Sequence, residues 1–238
     1  IGIANYKNTI YTVTYSNNKI YTQTYDGTNW KQEISTLNIN ETYPIAQIDL
    51  ITTQNKLYLC YSMYGILQIK ELNDTTKKWE DVTKINNIIG EFGITNHIDK
   101  LYITCVGENS ETARLIEINN KTITELGTYF NGKYCGQANV VELNGNIYTS
   151  VRSTNGNKIK LYKYNNGKFT EIENTMSSGS YDIKSFNNKI YISLGKENTQ
   201  KAMIYIYDGN TLKPINSNIE LSFPKIVTAQ NSIYILMN

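Results

Sequence analysis

The stretch Asn188-Lys-Ile-Tyr-Ile-Ser-Leu-Gly195 contains the clearest copy of the motif that decides the fold. Asn-Lys-Ile-Tyr, or a close variant, occurs six times along the chain. By subtraction, successive copies start 47, 44, 46, 43 and 43 residues apart. A period of this length is typical of β-propeller blades. The six copies are Asn8-Thr-Ile-Tyr11, Asn55-Lys-Leu-Tyr58, Asp99-Lys-Leu-Tyr102, Gly145-Asn-Ile-Tyr148, Asn188-Lys-Ile-Tyr191 and Asn231-Ser-Ile-Tyr234.

Each repeat has the composition of four antiparallel strands. A short apolar run precedes the motif, and the motif opens a second strand rich in β-branched and aromatic residues. A third strand with alternating Ile or Tyr follows, then an Asn, Asp or Gly turn and a short fourth strand, predicted at 30–34, 79–82 and 123–126. We therefore predict an all-β propeller of four-stranded antiparallel blades, with residues 1–238 as a single domain.

The blade number follows from the same count. The sequence contains six first hairpins but only five outer strand pairs. Six blades are favoured, the last being incomplete or finished by residues outside this sequence. Five blades with overlapping ends are the alternative.

The repeats resemble degenerate kelch repeats. The resemblance lies in the motif at 188–195, in Ile204-Tyr-Ile-Tyr-Asp208, and in Trp30 and Trp79, which stand where kelch repeats carry a fourth-strand Trp. The double glycine of kelch repeats is absent. The resemblance implies the propeller architecture rather than one activity, because kelch-like propellers include binding modules, oxidase scaffolds and bacterial surface domains.

Composition narrows the classes of partner. The chain has 23 Lys and Arg against 21 Asp and Glu, a formal net charge of +2, and no long basic run. Nucleic acid is therefore not an expected partner. No stretch reaches the roughly 18 apolar residues of a spanning helix, so membrane insertion is not expected. The chain starts at Ile1 rather than Met, so we expect a piece of a longer protein with further domains. With the binding function favoured below, we expect that protein to be bacterial and secreted or exposed at the surface.

Residue types suited to catalysis or metal binding are sparse. The one histidine, His97, lies at a predicted turn, and the cysteines Cys60, Cys105 and Cys135 lack paired ligand spacings. We expect no metal and no cofactor. The thiols are expected to be buried, with a Cys105–Cys135 disulfide as the alternative.

Two carboxylates are the weak candidates for catalysis. Asp49 and Asp182 both lie in predicted innermost strands, which line the central channel of a propeller. Glycoside hydrolysis requires two carboxylates facing one cleft. A carbohydrate-active hydrolase or lyase is therefore an alternative function, while a polar channel wall is the structural explanation.

The favoured function is a non-catalytic binding domain for a glycan or a protein. Connections between second and third strands, and between blades, are predicted to form a face with long, unequal loops, where ligand surfaces are commonly built. These loops are predicted at 107–114, 153–158, 195–202, 35–43 and 127–134. Aromatic rings there can stack on sugars and arginines can donate hydrogen bonds, unless the rings pack over the blade ends. A structural spacer is a further alternative. The ligand-binding candidates are Tyr43, Tyr64, Arg114, Tyr129, Phe130, Tyr134 and Arg152.

Overall fold

The computed structural model describes the chain in eight segments. These are residues 1–39, 44–107, 109–132, 135–153, 157–195, 203–215, 225–229 and 232–236; for residues 32–34, 90, 173–175 and 229 it describes the backbone alone.

The described residues form five four-stranded sheets and one two-stranded sheet, all antiparallel and each in simple sequential order. The first sheet holds β1 (Gly2–Tyr6), β2 (Thr9–Ser16), β3 (Lys19–Tyr25) and β4 (Trp30–Asn38). The second holds β5 (Gln47–Thr52), β6 (Leu57–Met63), β7 (Ile66–Leu72) and β8 (Trp79–Asn86). The third holds β9 (Ile88–His97), β10 (Lys100–Gly107), β11 (Thr112–Asn119) and β12 (Thr122–Asn131).

The remaining sheets continue this order. The fourth holds β13 (Cys135–Leu143), β14 (Asn146–Ser153), β15 (Lys158–Asn165) and β16 (Lys168–Ser177). The fifth holds β17 (Tyr181–Phe186), β18 (Lys189–Leu194), β19 (Met203–Tyr207) and β20 (Leu212–Ile215). The sixth holds β21 (Lys225–Ala229) and β22 (Ser232–Leu236). No helix of the described residues is long and apolar enough to cross a membrane.

The innermost strands, which are the first strands of the sheets, bring consecutive sheets together. Each first strand contacts the first strand of the next sheet: β1 contacts β5, β5 contacts β9, β9 contacts β13, β13 contacts β17, and β17 contacts β21. Four-stranded sheets packed side by side through their first strands are the blades of a propeller. The all-β propeller prediction is confirmed, whereas the number of blades in a complete ring stays a prediction.

The apolar core lies between the sheets. Four clusters of buried side chains each join two consecutive sheets, from the first sheet to the fifth. Each cluster contains one of the tyrosines that end the motif: Tyr11, Tyr58, Tyr102 and Tyr148. Alternate residues of a strand point to opposite faces, so the second, third and fourth sheets each bury one set of side chains against the preceding sheet and the other against the following one.

Glycine allows two pairs of innermost strands to approach closely. A Cβ on Gly93 would lie 2.5 Å from Cα of Asn139, and one on Gly2 would lie 2.9 Å from the backbone of Asp49. Any side chain at these positions would force the neighbouring strands apart. The two glycines therefore set the spacing of the first and second sheets and of the third and fourth.

The fourth strands are longer than predicted. β4, β8, β12 and β16 continue four or five residues past the predicted ends, and register shifts interrupt their pairing with the third strands. A β-bulge absorbs an extra residue without ending a strand. Residues 35–38 and 127–131, which we predicted to lie in loops, are therefore strand residues.

All three cysteines are free and buried. The alternative Cys105–Cys135 disulfide is wrong for this structure. Both thiols belong to apolar clusters, Cys105 between the second and third sheets and Cys135 between the third and fourth. Each thiol therefore packs as a small apolar side chain.

Candidate functional site

A shallow cleft opens where the second and third sheets meet. It has a volume of about 500 Å³ and is lined by Asn87, Gly107, Asn109, Thr112 and Arg114. We call it the Arg114 cleft. Asn87 is the one residue between β8 and β9, whereas the other four lie at or between the ends of β10 and β11. Two different sheets therefore contribute to the site.

The guanidinium of Arg114 is held by acceptors from both sheets. Nη2 donates to the carbonyl oxygens of Asn86, at 3.3 Å, and Asn87, at 3.5 Å. Nη1 donates to Oε2 of Glu125 at 3.5 Å. The Arg114 side chain stays partly exposed. A planar guanidinium fixed on one edge can present its remaining N–H groups to a ligand.

The backbone around the cleft is shaped by short turns. Asn87 adopts a left-handed conformation, φ 58°, which lets β8 reverse directly into β9. Oδ1 of Asn109 accepts the backbone N–H of Glu111 at 3.0 Å and so orders the β10–β11 connection. The polar lining is therefore built largely by local turn geometry.

Tyr64 lies in a turn next to the Arg114 cleft but does not line it. It occupies the two-residue turn between β6 and β7, and its ring is exposed. The carbonyl of the next residue, Gly65, accepts the backbone N–H of Ile88 at 3.1 Å. Because Ile88 follows Asn87, this bond joins the turn with Tyr64 to the chain beside the cleft. Of the predicted ligand-binding residues that the structure describes, Arg114 lines the cleft.

Tyr129 does not have the exposed ring that we expected. It lies on β12, is buried, and packs against Tyr162 and Phe169 with ring centroids 5.6 and 5.5 Å away. Its hydroxyl donates to the carbonyl of Ser150 at 3.2 Å, and burial raises its pKa well above the ordinary value. For this residue the packing alternative is correct, because β12 runs past its predicted end.

Phe130 and Arg152 do not line the Arg114 cleft, although Phe130 pairs with Ala113 beside it. Phe130 is half-buried at the contact of the third and fourth sheets, with Nζ of Lys160 5.9 Å from its ring. Nη1 of Arg152, on β14, donates to Oδ1 of Asn157 at 3.3 Å. Tyr43 and Tyr134 lie outside the described residues.

Asp49 and Asp182 do lie in innermost strands, and at the same repeat position. Each pairs with the residue two after the motif tyrosine, Cys60 and Ser193 respectively. Both oxygens of Asp182 accept backbone N–H groups, from Ile183 at 3.0 Å and from Ile226 at 2.7 Å. Asp182 thus has a structural use for each oxygen.

Asp49 has a different environment. Its Oδ1 accepts the backbone N–H of Leu50 at 2.8 Å. Burial raises its pKa above the ordinary range, although the positive charges of Lys184, Lys225 and the amino terminus act against this shift. A partly buried carboxyl with a raised pKa can be catalytic or structural.

Metal-binding geometry is not found in the part of the chain that the structure describes, which holds no cluster of three or more His, Cys, Asp or Glu side chains. His97 ends β9, next to the predicted turn, with Nδ1 3.6 Å from Oε1 of Glu142. The sequence predicted the loop at 107–114, which contains Asn109 and Thr112, but singled out neither residue and did not indicate Asn87. The one sequence feature that could have indicated these residues is the irregular sequence at Asn86-Asn87 and at 108–111, where the repeat pattern is broken.

Comparisons with known proteins identify the architecture. No protein-family profile and no curated protein matches the sequence. Solved structures do match. The SapL1 lectin in complex with alpha methyl fucoside is 10% identical, with a TM-score of 0.63 over 87% of this chain and 75% of that one. A putative 6-phosphogluconolactonase from Bacteroides fragilis is 12% identical, with a TM-score of 0.63 over 98% and 72%.

A third neighbour is a larger protein. GH43B of the Bacteroides ovatus xyloglucan PUL is 14% identical, with a TM-score of 0.50; the match covers 74% of this chain and 41% of that one. The chain thus spans less than half the length of this neighbour and about three quarters of the other two. At these identities the likeness shows the propeller fold alone. The kelch type of repeat stays a prediction.

Proposed function

We propose that this chain is a carbohydrate-binding propeller domain whose ligand occupies the Arg114 cleft. The observation that carries the proposal is the composition of the cleft, in which a fixed guanidinium, two Asn side chains and a Thr hydroxyl converge on one shallow, open site. The GH43B protein and the SapL1 lectin are carbohydrate-related propellers, which supports this class of ligand.

The chemistry of the cleft suits a sugar better than an apolar ligand. Sites for apolar small molecules are enclosed and lined mainly by hydrophobic side chains. The Arg114 cleft is open, and four of its five lining residues have polar side chains. Nη1 of Arg114 donates one N–H to Glu125 and keeps a second that can donate to a sugar hydroxyl. Tyr64, in the neighbouring turn, supplies an exposed ring on which the apolar face of a sugar can stack.

The alternative of a hydrolase receives less support. It requires two carboxylates with free oxygens, whereas Asp182 uses both of its oxygens to hold backbone N–H groups. A protein ligand would suit the exposed ring of Tyr64 as well, and the experiment below distinguishes the two. Recognition of external glycans implies a secreted or surface location, which is part of this proposal.

A glycan array with matched arginine variants tests the proposal. Wild-type protein is expected to bind a defined set of glycans, and the affinity for the best of them is then measured by titration calorimetry. Arg114→Ala removes a charged donor, which contributes about 1.5–3 kcal/mol, so the affinity is expected to fall about 10- to 150-fold. Asn109→Ala and Tyr64→Ala are expected to weaken binding as well.

Arg152→Ala is the control, because it removes the other arginine of the chain, which lies in a different sheet. Its affinity is expected to equal that of the wild type. Equal losses in the two arginine variants, or no glycan bound by the folded wild-type protein, would overturn the proposal. Retention of a protein ligand in a pull-down by a protein that binds no glycan would establish the protein alternative.

A further inference from the structure

The first sheet exposes an apolar side chain whose repeat equivalent is buried. Ile3 on β1 pairs with the residue that follows the motif tyrosine, and Leu50 on β5 occupies the same position in the second sheet. Leu50 is 5% exposed, whereas Ile3 is 63% exposed. In the second sheet this position packs against the preceding sheet. Ile3 therefore lies on the face of the first sheet that a preceding sheet would cover.

The two tryptophans show the same difference. Trp30 and Trp79 both begin fourth strands, opposite the last residue of the third strand. Trp79 is 7% exposed, and its Nε1 donates to Oγ1 of Thr22, on the third strand of the preceding sheet, at 2.8 Å. Trp30 is 57% exposed and packs on Tyr25 of its own sheet. A third strand placed before the first sheet would give Trp30 the contact that Trp79 has.

The sixth sheet exposes the complementary face. Tyr234 and Leu236 on β22 are 52% and 55% exposed. The motif tyrosines and the residues two after them are buried in the first four sheets. Among the described residues β22 pairs with β21 alone, although the second strand of every other sheet also pairs with a third strand. No described strand covers its outer backbone edge, and its apolar side chains are exposed beside that edge.

We propose that a β-hairpin with the outer-pair pattern of this repeat pairs with the outer edge of β22 and covers Trp30 of the first sheet. Its first strand alternates aliphatic and aromatic residues, as in Met203–Tyr207, and its second strand is short and ends on an aliphatic residue, as in Leu212–Ile215. The first strand pairs antiparallel with β22 and places an aliphatic side chain on Trp30. Strand addition to an exposed edge is a known mode of recognition, with backbone bonds giving affinity and side-chain pockets giving specificity.

A hairpin fits better than a second copy of the chain. The face of β22 could pack against the first sheet of another copy, but this would leave the outer backbone edge of β22 unpaired. A hairpin satisfies this edge and also covers Trp30, while Ile3 and the face of β22 can then pack against each other as their equivalents do in the first and second sheets. The exposure of the backbone and of the side chains thus favours the same occupant.

An extended chain tests the inference. A copy of the 203–215 segment is added after residue 238 through a Gly-Ser linker, and acrylamide quenching of tryptophan fluorescence is measured. Trp79 is buried, so quenching in the unextended chain reports mainly on Trp30. We expect the extension to shift the emission to shorter wavelength, to reduce quenching and to raise the unfolding midpoint. The fluorescence changes should vanish when Trp30→Phe is introduced.

The control carries Ile204→Asp and Ile206→Asp in the appended copy alone, at positions equivalent to Thr22 and Thr24 of β3, which are buried. This copy keeps the turn and the length but lacks the apolar contact, and it is expected to leave quenching unchanged. Equal effects of the unchanged and the substituted appended segments would overturn the inference. A higher unfolding midpoint with Trp30 still fully quenched would overturn it as well. Protection of Trp30 that rises with protein concentration in the unextended chain, together with a dimer in sedimentation, would instead identify a second copy as the occupant.

Discussion

Oδ2 of Asp182 accepts the backbone N–H of Ile226 at 2.7 Å, and this bond joins the fifth sheet to the two-stranded sixth. Ile226 is itself buried. The sixth sheet has few anchors of this kind, because it has two strands among the described residues. The carboxylate of Asp182 therefore holds the least supported part of the propeller.

Asp182→Asn is expected to weaken this anchor. An amide can accept one N–H, but its NH₂ group then faces the other N–H donor, either Ile183 or Ile226. Hydrogen bonds to charged groups contribute about 1.5–3 kcal/mol each, so we expect a loss in this range. Urea denaturation measures it, and hydrogen exchange should rise first at 225–236. Unchanged exchange there would contradict the assigned role.

Asp49→Asn, at the same repeat position in the second sheet, is expected to have the opposite effect. Burial raises the pKa of Asp49 above its ordinary value of 3.8, so the folded state disfavours the ionised carboxyl. The resulting loss of stability is absent below the ordinary pKa, where the carboxyl is protonated in both states. It appears in full once the pH exceeds the raised folded-state pKa.

The substitution removes an ionisable group and keeps an oxygen to accept the Leu50 N–H. Asp49→Asn should therefore stabilise the protein at pH 7 and lose this advantage near pH 3. The measurement is the difference in the free energy of unfolding between wild type and variant across this range. A variant that is less stable than the wild type at pH 7 would show that ionised Asp49 has a favourable partner.

The fold was predictable from sequence because the motif tyrosine serves the same packing role in successive sheets. Tyr11, Tyr58, Tyr102 and Tyr148 are all buried between sheets, so one repeated contact makes the pattern visible. The ends of the fourth strands were not predictable in this way. Bulges let β12 continue through Gly127, and Tyr129 is buried as a consequence. A bulge depends on pairing with a neighbouring strand, which no local pattern reveals.

The candidate site was only partly predictable. Arg114 and Tyr64 stand out as residues that break the repeat; Arg114 lines the cleft, and Tyr64 lies in a neighbouring turn. Asn87 and Asn109 do not stand out in a chain this rich in asparagine. Their role arises because two sheets meet at this point, and the contact between sheets is a property of the assembled fold.

Two glutamines that link innermost strands give a third prediction. Gln47 forms two bonds with the backbone of Phe92, donating Nε2 to its carbonyl at 2.9 Å and accepting its N–H at 2.8 Å. Gln137, two sheets further on, donates Nε2 to the carbonyl of Tyr181 at 3.2 Å. Gln47→Leu leaves two backbone groups unpaired, and Gln137→Leu leaves one.

We therefore expect Gln47→Leu to cost about 2–3 kcal/mol and Gln137→Leu about 1 kcal/mol of unfolding free energy. Urea denaturation of the two variants beside wild type measures both values. Each variant serves as the control for the other, since the substitution and its place in the repeat are matched. Equal losses would show that packing of the side chain, rather than the number of hydrogen bonds, determines the cost.

Thiol reactivity gives the last prediction. Burial raises the pKa of Cys60 well above its ordinary value and that of Cys135 to about 11. Burial also raises the pKa of Cys105, although the nearby Arg114 guanidinium acts against the shift. The thiolate is the reactive form, so a buried thiol with a raised pKa reacts slowly at pH 8.

Native protein is therefore expected to react slowly with an aromatic disulfide reagent at pH 8. In denatured protein, the absorbance of the released aromatic thiol should correspond to three reacted cysteines. Cys135 should react first, because it retains slightly more exposure than the other two. Rapid reaction of the native protein would mean that the sheets separate readily, since each thiol is enclosed by the contact of two sheets. A signal of one thiol in denaturant would instead mean that two cysteines form a disulfide, in conflict with the free thiols seen here.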